Sequence, residues 1–277
     1  MSSASVKDAG SDTSGTSLNV AREIASGPGR RRAIPIRNSF VRNDDPSVEP
    51  PLARLVSRGG RGGAVPIKLY VALIWRCSAS PFDTEISARK WALLLDLNDP
   101  NGLGARRVTK AMAVLEDERL VKLDRRRGDS TVVTLLEESG SGSRYSLPST
   151  AYQRAKSPEK RAANRYFKVP LSLWTEGYLQ HMPAAAVAML LVLLAERNKD
   201  GKPTWWSTER FPDLFGLSPT TRSKGTQELR NLELLEVTKQ LVAVGSSTSR
   251  TFVRERVRNL YQLTGAARPQ DDDRDDE

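Results

Sequence analysis

The chain carries one pattern twice, and this constrains its fold more than any bulk property. Asp83-Thr84-Glu85-Ile86-Ser87, then Trp91, Leu94, Leu95 and Leu97, returns 120 residues later as Pro203-Thr204-Trp205-Trp206-Ser207, Phe211, Leu214, Phe215 and Leu217. Lys110, Leu115, Leu120, Val121 and Leu123 return at a shift of 114 as Lys224, Leu229, Leu234, Leu235 and Val237. Upstream, Val65-Pro66 and Met182-Pro183 each precede an apolar helical stretch. A repeat of this length is a small domain, not a solenoid unit.

The length of 277 residues accommodates two such domains. No run approaches the ~18 apolar residues of a membrane helix, since the best candidate, Ala184 to Ala195, ends in Glu196-Arg197. No membrane partner is expected. The first 30 residues lack an apolar secretory segment, so the expected location is the bacterial cytoplasm, on the nucleoid. One cysteine, Cys77, and one histidine, His181, exclude a disulfide framework and a Cys/His zinc site. No nucleophile or carboxylate constellation surrounds His181 in the sequence. The expectation is therefore no enzyme, no cofactor and no metal.

The net charge is +10, and its distribution is uneven. The acidic end, residues 271–277, carries −5, which leaves +15 on residues 1–270. A surplus of that size points to a polyanionic partner.

Residues 1–47 read as a disordered basic arm, rich in Ser, Gly and Asp and containing Gly29-Arg30-Arg31-Arg32. Residues 48–147 form the first folded unit, 148–165 a polar connector, 166–265 the second unit, and 266–277 a disordered acidic tail. Within each unit the order is apolar helix, short strand, helix, turn, helix and β-hairpin. The expected class is α+β, mainly α with small hairpins. In the first unit, Val108, Ala111, Met112 and Leu115 form the buried stripe of a helix over Ala105 to Glu118. In the second, Arg222 and Thr226 stand where Val108 and Met112 do. An unpaired buried arginine is costly, so either Arg222 snorkels outward or the helix is rotated.

This order resembles two winged helix-turn-helix domains in tandem. Leu214-Phe215-Gly216-Leu217-Ser218-Pro219-Thr220-Thr221-Arg222-Ser223-Lys224 is similar to the helix-turn-helix core of many bacterial regulators. Val108-Thr109-Lys110-Ala111-Met112 and Leu115 resemble a recognition helix. The first copy departs from the pattern by about six extra residues in the turn Asn98 to Gly104. The resemblance implies sequence-specific binding of double-stranded DNA and transcriptional regulation. Plasmid replication initiators, which bind origin repeats, share such tandem modules. So do the protein-gripping adaptors of chromosome-condensing complexes, although their surfaces tend to be acidic. Either a monomer reading two half-sites or a homodimer with four modules fits.

A helix in the major groove presents side chains to base edges, where an arginine fork matches guanine. The expected contacts in the first copy are Arg106, Arg107, Thr109 and Lys110, with Arg125, Arg126 and Arg127 at the hairpin tip. In the second copy they are Thr220, Thr221, Lys224 and Gln227, then Arg250, Arg254, Arg256 and Arg258. The last three alternate along a strand, so they share one face.

Overall fold

The computed structural model describes residues 13–26, 32–43, 45, 47–58, 63–125, 129–198, 200–244 and 254–268. It is a mixed α/β chain, about 49% helical and 17% strand, with small antiparallel sheets. Among the described residues no helix is long and apolar enough to cross a membrane.

The segment expected to lack order is a correction. Helix α1 (Gly15–Ala25) is capped by the Ser14 hydroxyl, which accepts from Ser17 N, and buries Ser17, Val20 and Ala21. These positions form one face of a helix. Ser17 Oγ donates to Leu94 O at 2.8 Å and Thr13 Oγ1 donates to Gly177 O at 3.0 Å. A Ser/Gly-rich segment thus orders because tertiary contacts satisfy it, which composition alone does not reveal. Strand β1 (Ala33–Arg37) and a 3-10 turn (Asn38–Phe40) follow.

Helix α2 (Pro51–Arg58) leads into α3 (Ala64–Arg76), which is buried from Val65 to Trp75. The first copy continues with β2 (Asp83–Thr84), α4 (Ala88–Leu94), α5 (Leu103–Asp117), β3 (Val121–Asp124) and β4 (Val132–Leu135). Its sheet has the order β2-β4-β3. The expected connector contains α6 (Pro148–Arg154) and α7 (Pro158–Ala163). Strand β5 (Tyr166–Pro170), α8 (Ser172–Thr175) and α9 (Tyr178–His181) precede α10 (Ala184–Ala195). The second copy then runs through α11 (Arg210–Phe215), α12 (Pro219–Asn231), β6 (Leu235–Val244) and β7 (Arg254–Leu263). A single bridge, Thr204 to Tyr261, stands where the first copy has β2. The element order therefore recurs.

The two copies are not joined by a loose tether. β1 pairs antiparallel with β5, centred on Pro35 opposite Lys168, and α3 packs on α10. Each of these strands precedes the apolar helix of its own copy, so the pairing joins corresponding positions of the two halves. One continuous core contains Leu69 and Leu115 from the first copy and Leu190 and Leu229 from the second. Arg37, fully buried at this seam, forms an ion pair with the equally buried Glu138 and hydrogen-bonds Asn164 Oδ1 at 3.1 Å and Ser146 O at 3.0 Å. Satisfying every face of a buried guanidinium is what makes its burial tolerable.

Small residues set the helix crossings. A Cβ on Gly225 of α12 would lie 2.2 Å from Ala185 O and 2.7 Å from Met189 Cβ on α10. Ala111 occupies the matching buried position of α5.

Candidate nucleic-acid interface

Helix α5 is built as its sequence implies. Val108, Ala111, Met112 and Leu115 are buried, while Arg106, Arg107, Thr109 and Lys110 are exposed. The longer turn is closed by Asp99, whose carboxylate accepts from Gly102 N at 3.1 Å and Leu103 N at 2.8 Å. This satisfies two of the orphan amides at the helix start. Arg106, Arg107 and Lys110 form no ion pair among the described residues. Thr109 is less available than expected, because its hydroxyl donates to Ala105 O at 3.1 Å. Leu103, at the same exposed end, is 63% accessible and was not among the expected contacts. Its spacing of 103, 106, 107 and 110 was a readable signal, since those positions share one helical face.

The hairpin contribution differs from expectation. Arg125 Nη2 lies 2.7 Å from Glu116 Oε2, so this arginine already has a counter-charge. That hydrogen bond, first among the causes, holds the Glu116 carboxyl below its ordinary range. Arg126 and Arg127 lie outside the described residues, as does Arg250.

In the second copy, α12 starts at Ser218, whose hydroxyl accepts from Thr221 N at 3.1 Å and pairs with Thr221 Oγ1 at 2.9 Å. Thr221 is thus tied into the cap, whereas Thr220, Lys224 and Gln227 are exposed. Gln227 Nε2 donates to Asn231 Oδ1 at 2.8 Å.

Arg222 resolves neither by snorkelling nor by a rotated helix. Gly225 and Leu229 still face the core, and Arg222 sits half-buried in a box of aromatic rings. Its guanidinium lies 4.6 Å from the Phe211 centroid, 5.4 Å from Tyr261 and 5.9 Å from Trp206. Nη2 donates to the Tyr261 hydroxyl at 3.0 Å and to Trp206 O at 3.4 Å. Cation–π attraction and hydrogen bonds replace a carboxylate partner.

The β6–β7 hairpin pairs Gln240 with Arg258, Leu241 with Val257, Val242 with Arg256 and Val244 with Arg254. By register, strand positions 254, 256 and 258 alternate onto one side of β7; of these, only Arg258 has a described side chain, and those of Arg254 and Arg256 lie outside the described residues. The Arg258 guanidinium stacks 3.8 Å from the centroid of Trp205, which is 45% exposed. On the opposite face, Leu235 and Tyr261 are buried, but Leu241 and Val257 are 65% and 60% exposed. The hairpin therefore projects beyond its own core.

Behind α5, the Lys68 ammonium donates to Gln180 O at 2.7 Å. Burial, aided by Arg107 and opposed by Asp96, pushes it down to about 7. Asp96 also accepts from Ser14 N at 3.2 Å and stands 3.8 Å from His181 Nε2. Burial pushes the Cys77 thiol up to about 12, the behaviour of a core hydrophobe. Among the described residues no group of three or more His, Cys, Asp or Glu side chains is arranged to hold a metal.

No protein-family model matches this chain, and neither does any curated protein or solved structure.

Proposed function

We propose that the chain binds double-stranded DNA sequence-specifically through two winged-helix modules, acting as a transcriptional regulator on the bacterial nucleoid. The observation that carries this reading is α5. Three cations, Arg106, Arg107 and Lys110, lie exposed on one helix without an ion-pair partner among the described residues, above a stripe that is fully apolar. Neighbouring like charges repel, so such a face gains most from an anionic partner whose spacing matches a helix. Duplex DNA offers that match in its major groove. The +15 on residues 1–270 supports a phosphate-rich target. The recurrence of helix, helix and hairpin in both halves supports the module assignment.

The test is selection of bound duplexes from a random-sequence pool, with affinity measured across salt concentrations. A consensus and a steep fall of affinity with salt are expected; no duplex binding at low salt refutes the reading. The genomic position of the selected sequence then separates regulator from replication initiator. A promoter overlap favours the first, and an array of direct repeats favours the second.

A further inference from the structure

Between α12 and the inner face of the β6–β7 hairpin lies a groove of about 760 Å³. Its wall includes Arg222, Arg230 and Lys239, together with the amides of Gln227 and Asn259, and among the described residues contains no Asp or Glu. Arg230 and Lys239 are exposed and make no ion pair among the described residues. Arg230 also borders a second depression holding Glu233 and Glu236, yet pairs with neither. Arg222 is fixed by the aromatic box rather than by a carboxylate. Thr226 Oγ1, also in the wall, is buried without a hydrogen-bond partner among the described residues. Among the described residues the groove thus gathers donors and positive charge with no carboxylate in its wall.

Two projections flank it. On one side is the exposed edge of α12 with Thr220, Lys224 and Gln227; on the other is the hairpin, which extends beyond its core to Leu241 and Val257. A helix in a major groove and a hairpin beside it must straddle the sugar–phosphate ridge that separates major from minor groove. That ridge is a continuous row of anions.

We infer that this groove seats the phosphodiester backbone of the bound duplex, with Arg230 and Lys239 as the phosphate contacts and Arg222 as the fixed charge at its floor. This rests on the duplex-DNA reading above. It divides the work between unequal copies. α5 reads bases, and this groove of the second copy holds the backbone without regard to sequence. The replacement of the Val108 equivalent by Arg222 is then what turns a plain helix–hairpin junction into a cationic seat.

The full-length chain is titrated with a selected duplex and with an unrelated duplex of equal length, by fluorescence anisotropy, over a series of KCl concentrations. Arg230→Ala and Lys239→Ala each remove one phosphate contact. Each is expected to weaken both duplexes alike, by about tenfold, and to lower the slope of log K against log salt by about 0.9. The ratio of affinities for the two duplexes stays constant. Both side chains are exposed, so thermal unfolding should match wild type; Lys239→Glu, with a larger loss, guards against a silent alanine. An unchanged salt slope in all three variants, with wild type still binding duplex, overturns the assignment. So does saturable binding of ATP or pyrophosphate that these substitutions abolish while leaving the duplex slope intact, because the groove would then hold a small anion. Failure of wild type to bind any duplex is a different result and removes the parent reading itself.

Discussion

The guanidinium of Arg222 lies 4.6 Å from the centroid of the Phe211 ring, on a helix position where the first copy carries the buried Val108. One fold position therefore holds two chemistries. In α5 the position holds an aliphatic side chain that is fully buried. In α12 the long stem and flat head of arginine fill it, and Tyr261 supplies a hydroxyl at 3.0 Å. The exchange is possible because Trp206, Phe211 and Tyr261 present ring faces.

Arg222→Lys should therefore destabilise the chain by about 1–2 kcal/mol. Lysine keeps the charge but loses the planar stack and the fork that serves Tyr261 and Trp206 O. Arg222→Ala should cost more, about 2–4 kcal/mol, because the stem's packing also goes. Urea denaturation of both variants measures this. A lysine variant as stable as wild type would show that charge alone matters and that the rings are incidental.

Gly225→Ala tests the closeness of α12 to α10. The added methyl meets Ala185 O at 2.2 Å, a backbone atom that cannot swing away. The gain in helix propensity of about 1 kcal/mol is smaller than the separation this forces, so a net loss of about 1–3 kcal/mol is expected. A shift of the urea midpoint to higher concentration would mean that the helices part without penalty.

These two sites mark how far the sequence could be read. The apolar stripe of α5, its exposed cations and the twofold element order were legible because they depend on spacing within one helix or on repetition. The box around Arg222 was not, since Tyr261 is remote in sequence from Trp206 and Phe211 and is brought against Trp206, with ring centroids 5.6 Å apart, beside the Thr204–Tyr261 bridge. The order in α1 was hidden for a similar reason. Its short stripe of Ser17, Val20 and Ala21 is too weak to fold alone, and its partners Leu94 and Gly177 are remote. The β1–β5 pairing joins strands 133 residues apart in corresponding positions, which no local pattern announces. The salt bridge from Arg125 to Glu116 depends on how the hairpin folds back on α5.

Stability should depend on pH in two opposing ways. Lys68 titrates at about 7 in the folded chain against an ordinary 10.5, with burial the main cause, Arg107 adding to it and Asp96 opposing. The unfolded chain binds more protons across that window, so stability rises as pH climbs from about 7 to 10.5. Glu138 is pushed up to about 7 from 4.5 by burial, against the pull of Arg37. Here the folded chain holds the extra proton, and stability falls as pH rises from 4.5 to 7. Together they place a minimum near pH 7. Lys68→Met should flatten the alkaline limb and leave the acid limb in place, as read from unfolding free energies between pH 4.5 and 10.5. Equal alkaline slopes in the variant and wild type would assign that limb to another group.

Glu116→Gln probes the neutralised hairpin arginine. Glutamine still accepts from Leu123 N, which the carboxylate does at 3.0 Å, but no longer offsets the charge of Arg125. Exposed ion pairs are worth little, about 0.2–1 kcal/mol, so stability should barely move. Duplex affinity should instead rise about two- to fivefold at low salt, with a steeper salt dependence as Arg125 reaches a phosphate. Anisotropy titrations at two salt concentrations measure it. An unaltered salt slope would place Arg125 away from the DNA.

Arg106 and Lys110 stand one turn apart on α5, exposed and without counter-charges among the described residues. If they reach base edges, each good contact discriminates against a wrong base by about 1–3 kcal/mol. Arg106→Ala and Lys110→Ala should then lower affinity for the selected duplex by about 5- to 150-fold, while binding to unrelated duplexes falls far less. Groove substitutions at Arg230 and Lys239 should do the opposite, weakening every duplex equally. Because the two sites belong to different copies and share no partner, combining Arg106→Ala with Lys239→Ala should give additive losses. Competition titrations with both duplexes supply all four corners of that cycle. If Arg106→Ala weakens selected and unrelated DNA to the same extent, α5 contacts backbone rather than bases, and sequence reading must lie elsewhere on the chain.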